Sequence, residues 1–220
     1  IIIVDDSVST PEITEYLRNH IVQKNEFLKE LEELALKEYI PIIQPEVVQL
    51  IKVIFKTAKV KSVLEIGTAI GYSAINFAYF TEGRITTIER SAEMAAAARK
   101  NIEKCGMAEH IEVVEGEALE ILKNIEQPYD CIFLDAAKGQ YPYFLEHIKR
   151  LLSPDGILIS DNVFFGGYVA KGEPDVRRNR TIVTRLGEYL EKLENISDMH
   201  TVLLPISDGV TLSYRMVDEN

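Results

Sequence analysis

The chain has 220 residues, 46% hydrophobic and 27% charged, a balance ordinary for a soluble globular protein. No apolar run reaches the roughly 18 residues that a bilayer-crossing helix needs, so no membrane partner is expected. Thirty-five acidic against 24 basic residues leave a formal charge of −11, which argues against general DNA affinity and leaves room only for a local basic patch.

Cys105 and Cys131 are too few for a disulfide framework, and Cys131 sits in an apolar run where it serves as a small hydrophobe. Both suit a reducing compartment, so a cytoplasmic location is expected. The opening "IIIVDDSVSTPE" has neither a basic n-region nor a small-residue cleavage site, so no signal peptide is expected.

Helical patterning runs from Thr10 to about Leu36. Thr10 stands as an N-cap before Pro11, and "NEFLKELEELALKEY" spaces Phe27, Leu28, Leu31 and Leu34 on one face. Another short helix is predicted after Pro45. The rhythm then changes to strand-length apolar runs at 62–66, 84–89, 110–115, 130–135 and 156–161, separated by helix-length segments. Continuous apolar strands alternating with helices indicate a parallel sheet covered on both faces. One such helix ends at Lys104, with Gly106 just beyond it as a stop. "TVLLPISDGVTLSYR" reads as two strands joined by "SDG", an antiparallel pair closing the sheet. A single domain over 1–220 is expected, with a helical cap at 1–58 and a core at 59–220.

In such a sheet, ligands bind at the carboxyl ends of the strands. Glu65, Glu89, Glu115, Asp135 and Asp161 all fall at or near predicted strand ends. "VLEIGTAIGYSA" is a strand, a glycine turn and a helix, but Ala69 and Tyr72 stand where a dinucleotide fingerprint needs glycine. Gly67 and Gly71 remain, and on their own they fit an unliganded turn equally well. Glu65 beside them would repel a diphosphate and suit a cationic group, while Glu89 is placed to accept ribose hydroxyls. Together these favour a nucleoside. Asp135, Asp161 and Asn162 offer oxygen ligands only, a set suited to a hard cation such as Mg²⁺.

"EIGTAIGYS" followed by "TIER" resembles the class I S-adenosylmethionine-dependent methyltransferases. "LDAAK" with "SDN" narrows the resemblance to the metal-dependent catechol and caffeoyl-CoA O-methyltransferase-like family, over about Tyr39 to Tyr214. The resemblance implies a Rossmann-like α/β fold, with a seven-stranded, mainly parallel sheet, a C-terminal antiparallel pair and N-terminal helices. It also implies that S-adenosylmethionine is held by Glu89 at the ribose and by Ser73 and the backbone near Gly67 at the methionine moiety. Glu117 and Ala118 would border the adenine, Glu65 and Asp135 would lie on the cofactor side of the site, and Ile43 would stand near its mouth. Asp135, Asp161 and Asn162 would bind the metal, and Lys138 would be the general base. A free lysine has a pKa of about 10.4, so burial and a nearby cation would have to lower it. The alternative is that Lys138 only offsets carboxylates and orients the acceptor.

Within this family "DAAKGQY", "DNVFFGG" and "PISDGVTLS" most closely resemble the bacterial tRNA 5-hydroxyuridine methyltransferases. That implies the tRNA anticodon region as partner and 5-methoxyuridine as product, with Phe164 or Phe165 stacking an extruded base. Lys171, Arg177, Arg178, Arg180 and Arg185 follow the metal ligands. As a bare charge run they would be a solvated face, but Arg177, Arg178 and Arg180 would also suit phosphate contacts. A small catechol-like acceptor uses the same metal and cofactor residues. A nucleoside-binding protein without catalysis would be expected to have lost Asp135, Lys138, Asp161 or Asn162, and all four are present. Family members commonly form homodimers, for which the N-terminal helices offer a surface.

Overall fold

The computed structural model describes residues 9–172, 174 and 176–217. Residues 1–8, on which the signal-peptide expectation rests, lie outside them. Thr10 accepts the amide of Ile13 at 3.4 Å, and Pro11 fills the first position of α1 (Pro11–Asn19), as expected. The helical pattern does not run on unbroken to Leu36. Gln23 Oε1 accepts the Asn25 amide at 3.1 Å, and the Asn25 side chain then accepts the Leu28 amide at 3.2 Å. Polar side chains thus satisfy the backbone in place of helical bonds, and α2 (Glu26–Glu38) starts afresh. Its buried stripe is Leu28, Leu31 and Ala35; Leu34 is 40% exposed, one step off the stripe. α3 (Pro45–Ala58) buries Val47, Val48, Ile51 and Phe55, each such side chain contributing roughly 1.5–3 kcal/mol.

The strands are β1 (Ser62–Ile66), β2 (Arg84–Glu89), β3 (Ile111–Glu115), β4 (Tyr129–Leu134), β5 (Leu152–Ser160), β6 (Met199–Leu204) and β7 (Val210–Arg215). Between and after them come α4 (Tyr72–Phe80), α5 (Ala92–Lys104), α6 (Ala118–Asn124), α7 (Tyr141–Leu151), α8 (Tyr168–Lys171) and α9 (Arg180–Glu194). The expected α/β fold is present, with one seven-stranded sheet in the order β3-β2-β1-β4-β5-β7-β6. β1, β2 and β3 pair in parallel, as do β4 and β5, while β7 runs antiparallel to β5 and β6. β5 begins four residues earlier than its apolar run. Its register jumps from Tyr129–Leu152 to Cys131–Ile157, and Asp155 in the intervening stretch adopts a left-handed φ of 60°.

The chain forms two compact units, residues 10–118 and residues 119–217 with Ser9. In the first, α4 is buried nearly all round, and the rings of Phe55 and Phe77 meet at 5.4 Å. In the second, α7 and α9 pack together, with Tyr141 and Tyr189 edge to face at 5.3 Å. Among the described residues no helix is long and apolar enough to cross a membrane.

Candidate active site

In the first unit the chain leaves β1 through residues 67–71. Gly67 (φ 107°), Ala69 (φ 46°) and Gly71 (φ 83°) take left-handed conformations that fold the loop tightly. Gly71 is needed for a second reason: a Cβ there would stand 3.3 Å from that of Ala98 on α5. The Glu89 carboxylate at the end of β2 faces this loop. Its Oε2 accepts the amides of Thr68 at 3.3 Å and Ala69 at 2.9 Å, and its Oε1 accepts the Ser91 amide at 2.8 Å. Loop amides that would meet a pyrophosphate in a dinucleotide site therefore already face a carboxylate, which a diphosphate would have to displace.

Glu65 is 0% exposed, and its Oε2 accepts from Thr87 Oγ1 at 2.5 Å; Thr87 Oγ1 also lies 2.5 Å from Thr68 Oγ1. This chain props the loop from beneath, a role that Thr68 and Thr87 did not announce in the sequence. Ser73 is buried in the first turn of α4, and Ile43 is 3% exposed in the core. Gly116 (φ 145°) donates its amide to the Glu89 carbonyl at 2.9 Å, which leads the chain to exposed Glu117 and to Ala118, the first residue of α6. Glu115 pairs with Arg99 at 3.2 Å, an ordinary surface bridge.

In the second unit Asp135 and Asp161 each follow a strand. Leu134 and Ser160 are register partners on β4 and β5, and the Asp161 amide donates to the Leu134 carbonyl at 3.0 Å, so the two acids leave adjacent strands side by side. Asn162 comes next with a left-handed φ of 55°, a conformation that asparagine tolerates better than most residues. Asp161 is 1% exposed. Burial, and then the charge of Asp135, push its carboxyl up to about 7, with Lys138 and the Asn162 amide pulling the other way. Two acids in so little water carry more negative charge than the site comfortably holds. A cation would relieve it, and oxygen ligands from Asp135, Asp161 and Asn162 fit a hard one. Among the described residues no group of three or more His, Cys, Asp or Glu is arranged as a metal site, so this set rests on two carboxylates and an amide.

Lys138 opens a short 3₁₀ turn, 16% exposed, with its Nζ 2.5 Å from Asp135 Oδ1. Burial acts to lower its pKa, but the charges of Asp135, Tyr141 and Asp161 outweigh it and hold the ammonium above its ordinary value. The sequence-based expectation is that burial and a nearby cation together lower it; burial does act in that direction, and the two carboxylates and Tyr141 oppose it.

A family model described as "O-methyltransferase" matches residues 18–216. The chain belongs to this O-methyltransferase family. It is 31% identical to the catechol O-methyltransferase of Niastella koreensis, over 66% of this chain and 70% of that protein. A candidate caffeoyl-CoA O-methyltransferase from Staphylococcus aureus superposes with a TM-score of 0.87 at 35% identity, covering 93% of this chain and 99% of the other. An O-methyltransferase from Bacillus cereus in complex with SAH superposes with a TM-score of 0.83 at 26% identity, over 93% and 97%. The chain is thus an O-methyltransferase of the caffeoyl-CoA and catechol type.

Two further parts of this O-methyltransferase's acid site escaped sequence reasoning. Tyr141 Oη lies 3.0 Å from Lys138 Nζ, though only its "KGQY" spacing hinted at contact. Asp208, from the "SDG" turn, accepts the Gly166 amide through its carboxylate at 2.6 Å and the Phe164 amide through its carbonyl at 3.0 Å. It thereby holds the loop that follows Asn162. Phe164 packs so closely on Gly209 that a Cβ there would sit 2.2 Å from the ring, and Phe165 lies 6.5 Å from Tyr168. Arg177, Arg178 and Arg180 are exposed, whereas Arg185 pairs with Glu188 at 2.6 Å and Lys171 lies over the Tyr168 ring.

Proposed function

We propose that this O-methyltransferase transfers the methyl group of S-adenosylmethionine to one hydroxyl of a small molecule bearing two adjacent hydroxyls, with a divalent cation such as Mg²⁺. The observation that carries this reading is the pairing of Asp135 and Asp161 at neighbouring strand ends, with Asn162 following and Lys138 in contact. Glu89 takes the ribose of the donor, Glu117 and Ala118 border its adenine, Ser73 and the backbone at Gly67 take its methionine moiety, and Glu65 fixes the loop beneath it. Asp135, Asp161 and Asn162 would hold the cation through their side-chain oxygens, where it would stabilise the acceptor oxyanion and lower the hydroxyl's pKa. Lys138, once neutral, takes the hydroxyl proton at Nζ. The acceptor oxygen bonds to the methyl carbon as the carbon–sulfur bond breaks, its electron pair leaving on sulfur. No covalent enzyme intermediate is needed, so positioning and charge carry the rate.

A second acceptor, 5-hydroxyuridine in the tRNA anticodon region, is favoured by one observation: three exposed arginines within four residues, Arg177, Arg178 and Arg180, in a chain of net charge −11. Its 5-hydroxyl and O4 offer the same adjacent oxygens. Labelled S-adenosylmethionine offered with a simple catechol and with 5-hydroxyuridine-containing tRNA separates the two. The reading predicts strong labelling of catechol, unchanged within about twofold when all three arginines become glutamate, since a neutral acceptor makes no phosphate contact. Labelling confined to tRNA and abolished by that triple change would replace the catechol reading with the tRNA one.

A further inference from the structure

Tyr141 is the first residue of α7, fully buried with its ring edge to face against Tyr189. A phenylalanine would fill the same space, so packing alone does not call for its hydroxyl. That hydroxyl nonetheless meets three parts of the acid site. Its oxygen receives a hydrogen bond from Lys138 Nζ at 3.0 Å. Its proton is shared between the carbonyls of Leu134 at 3.1 Å and Asp161 at 3.0 Å. Leu134 is the residue before Asp135, and Asp161 is itself one of the two acids.

We infer that Tyr141 is a positioning residue for methyl transfer: its hydroxyl ties the end of β4, the first residue beyond β5 and the Lys138 ammonium into one fixed arrangement. The inference rests on the proposed function, in which Lys138 takes the acceptor's proton. A lysine side chain turns about four bonds, and a single contact leaves its nitrogen free to swing on an arc. Asp135 supplies one contact at 2.5 Å, and Tyr141 supplies the second that fixes a point. A base must stand within hydrogen-bond reach of the proton it removes, so a small loss of position costs rate much more than binding. Tyr189 is a built-in control. It is an equally buried tyrosine, its hydroxyl lies 2.5 Å from Ser160 Oγ, and its ring rests on that of Tyr141.

The test compares Tyr141→Phe, Tyr189→Phe, Lys138→Ala and the Tyr141→Phe/Lys138→Ala pair in steady-state kinetics with catechol. Tyr141→Phe is expected to lower kcat about 10- to 100-fold, the scale of one lost charge-assisted hydrogen bond, with KM for the acceptor within about twofold. Tyr189→Phe should hold kcat within about threefold, and the Tyr141 effect should largely vanish in the Lys138→Ala background. In the metal-free protein, Tyr141→Phe should also speed amide hydrogen exchange across residues 135–141. The inference is overturned by an effect that adds independently to that of Lys138→Ala, by an equal loss in Tyr189→Phe, or by unchanged kcat and exchange. If Tyr141→Phe does not fold, 3-fluorotyrosine at 141 keeps the ring and weakens its oxygen as an acceptor. It should then lower kcat severalfold at an unchanged melting temperature, and an unchanged kcat overturns the inference. Should wild type fail to methylate catechol, or Lys138→Ala remain fully active, the proposed function falls first. The exchange comparison then decides the anchoring by Tyr141 on its own.

Discussion

Asp161 carries a carboxyl to a place where water scarcely reaches, next to a second acid. Its pKa is raised above the unfolded value of about 3.9, so the native metal-free state binds the extra proton. The associated stability is fully present near pH 4 and is lost as pH rises toward about 7. Thermal unfolding in EDTA should therefore show wild type losing stability relative to Asp161→Asn between about pH 4 and about pH 7, at roughly 2–4 °C per kcal/mol. A parallel pH dependence in both proteins would contradict this placing of the charge. Lys138 gives a second prediction at this scale. Lys138→Gln should lower kcat about 10²- to 10⁴-fold, the usual share of a general base, and Lys138→Arg should recover little of it. Full recovery with arginine would mean that the side chain only orients the acceptor. The sequence showed both residues by type and spacing. It did not show that Lys138 is held charged, because that depends on the distance to Asp135 and on Tyr141 closing the other side.

Among the elements, the loop after β5 is tied to the turn between β6 and β7. Asn162, Phe165, Gly166 and Gly167 all have positive φ, strained at the two that are not glycine, and the loop is held in place by the Asp208 carboxylate and by backbone bonds to Asp208 and Gly209. Gly209→Ala would drive a Cβ into the Phe164 ring at a backbone φ of 84°. It should cost on the order of 1–3 kcal/mol and lower the affinity for divalent cations, measured by denaturation and by titration calorimetry. Wild-type cation affinity in a folded variant would show that the loop does not depend on this contact. The sequence made the "SDG" turn legible as a hairpin but not as a clamp, since nothing local says which distant loop a turn will touch. The helical cap shows the same limit. The cap at Thr10 was readable, but the break at 20–25 was not, because it rests on hydrogen bonds between Gln23, Asn25 and the backbone that leave the apolar pattern unchanged.

For the molecule as a whole, Glu65, the loop of residues 67–71 and Glu89 belong to the unit of residues 10–118, and Asp135, Lys138, Asp161 and Asn162 to the unit of residues 119–217. The alternation of strands and helices announced the sheet, and the acids expected at strand ends stand there, Glu89 closing β2 and Asp135 and Asp161 directly following β4 and β5. The acceptor was less legible, since catechol and 5-hydroxyuridine present the same pair of oxygens and differ only in what surrounds them. Each half can be disturbed by itself: Asp161→Asn should weaken cation binding while leaving the affinity for S-adenosylmethionine within about twofold. The most direct measurement is methyl transfer from labelled S-adenosylmethionine to catechol, with Mg²⁺ and with EDTA, by wild type and by Asp161→Asn. Mg²⁺-dependent transfer by wild type, lost in EDTA and in the variant, is the predicted result. Equal transfer in EDTA, or an active Asp161→Asn, would contradict a metal-dependent acid site.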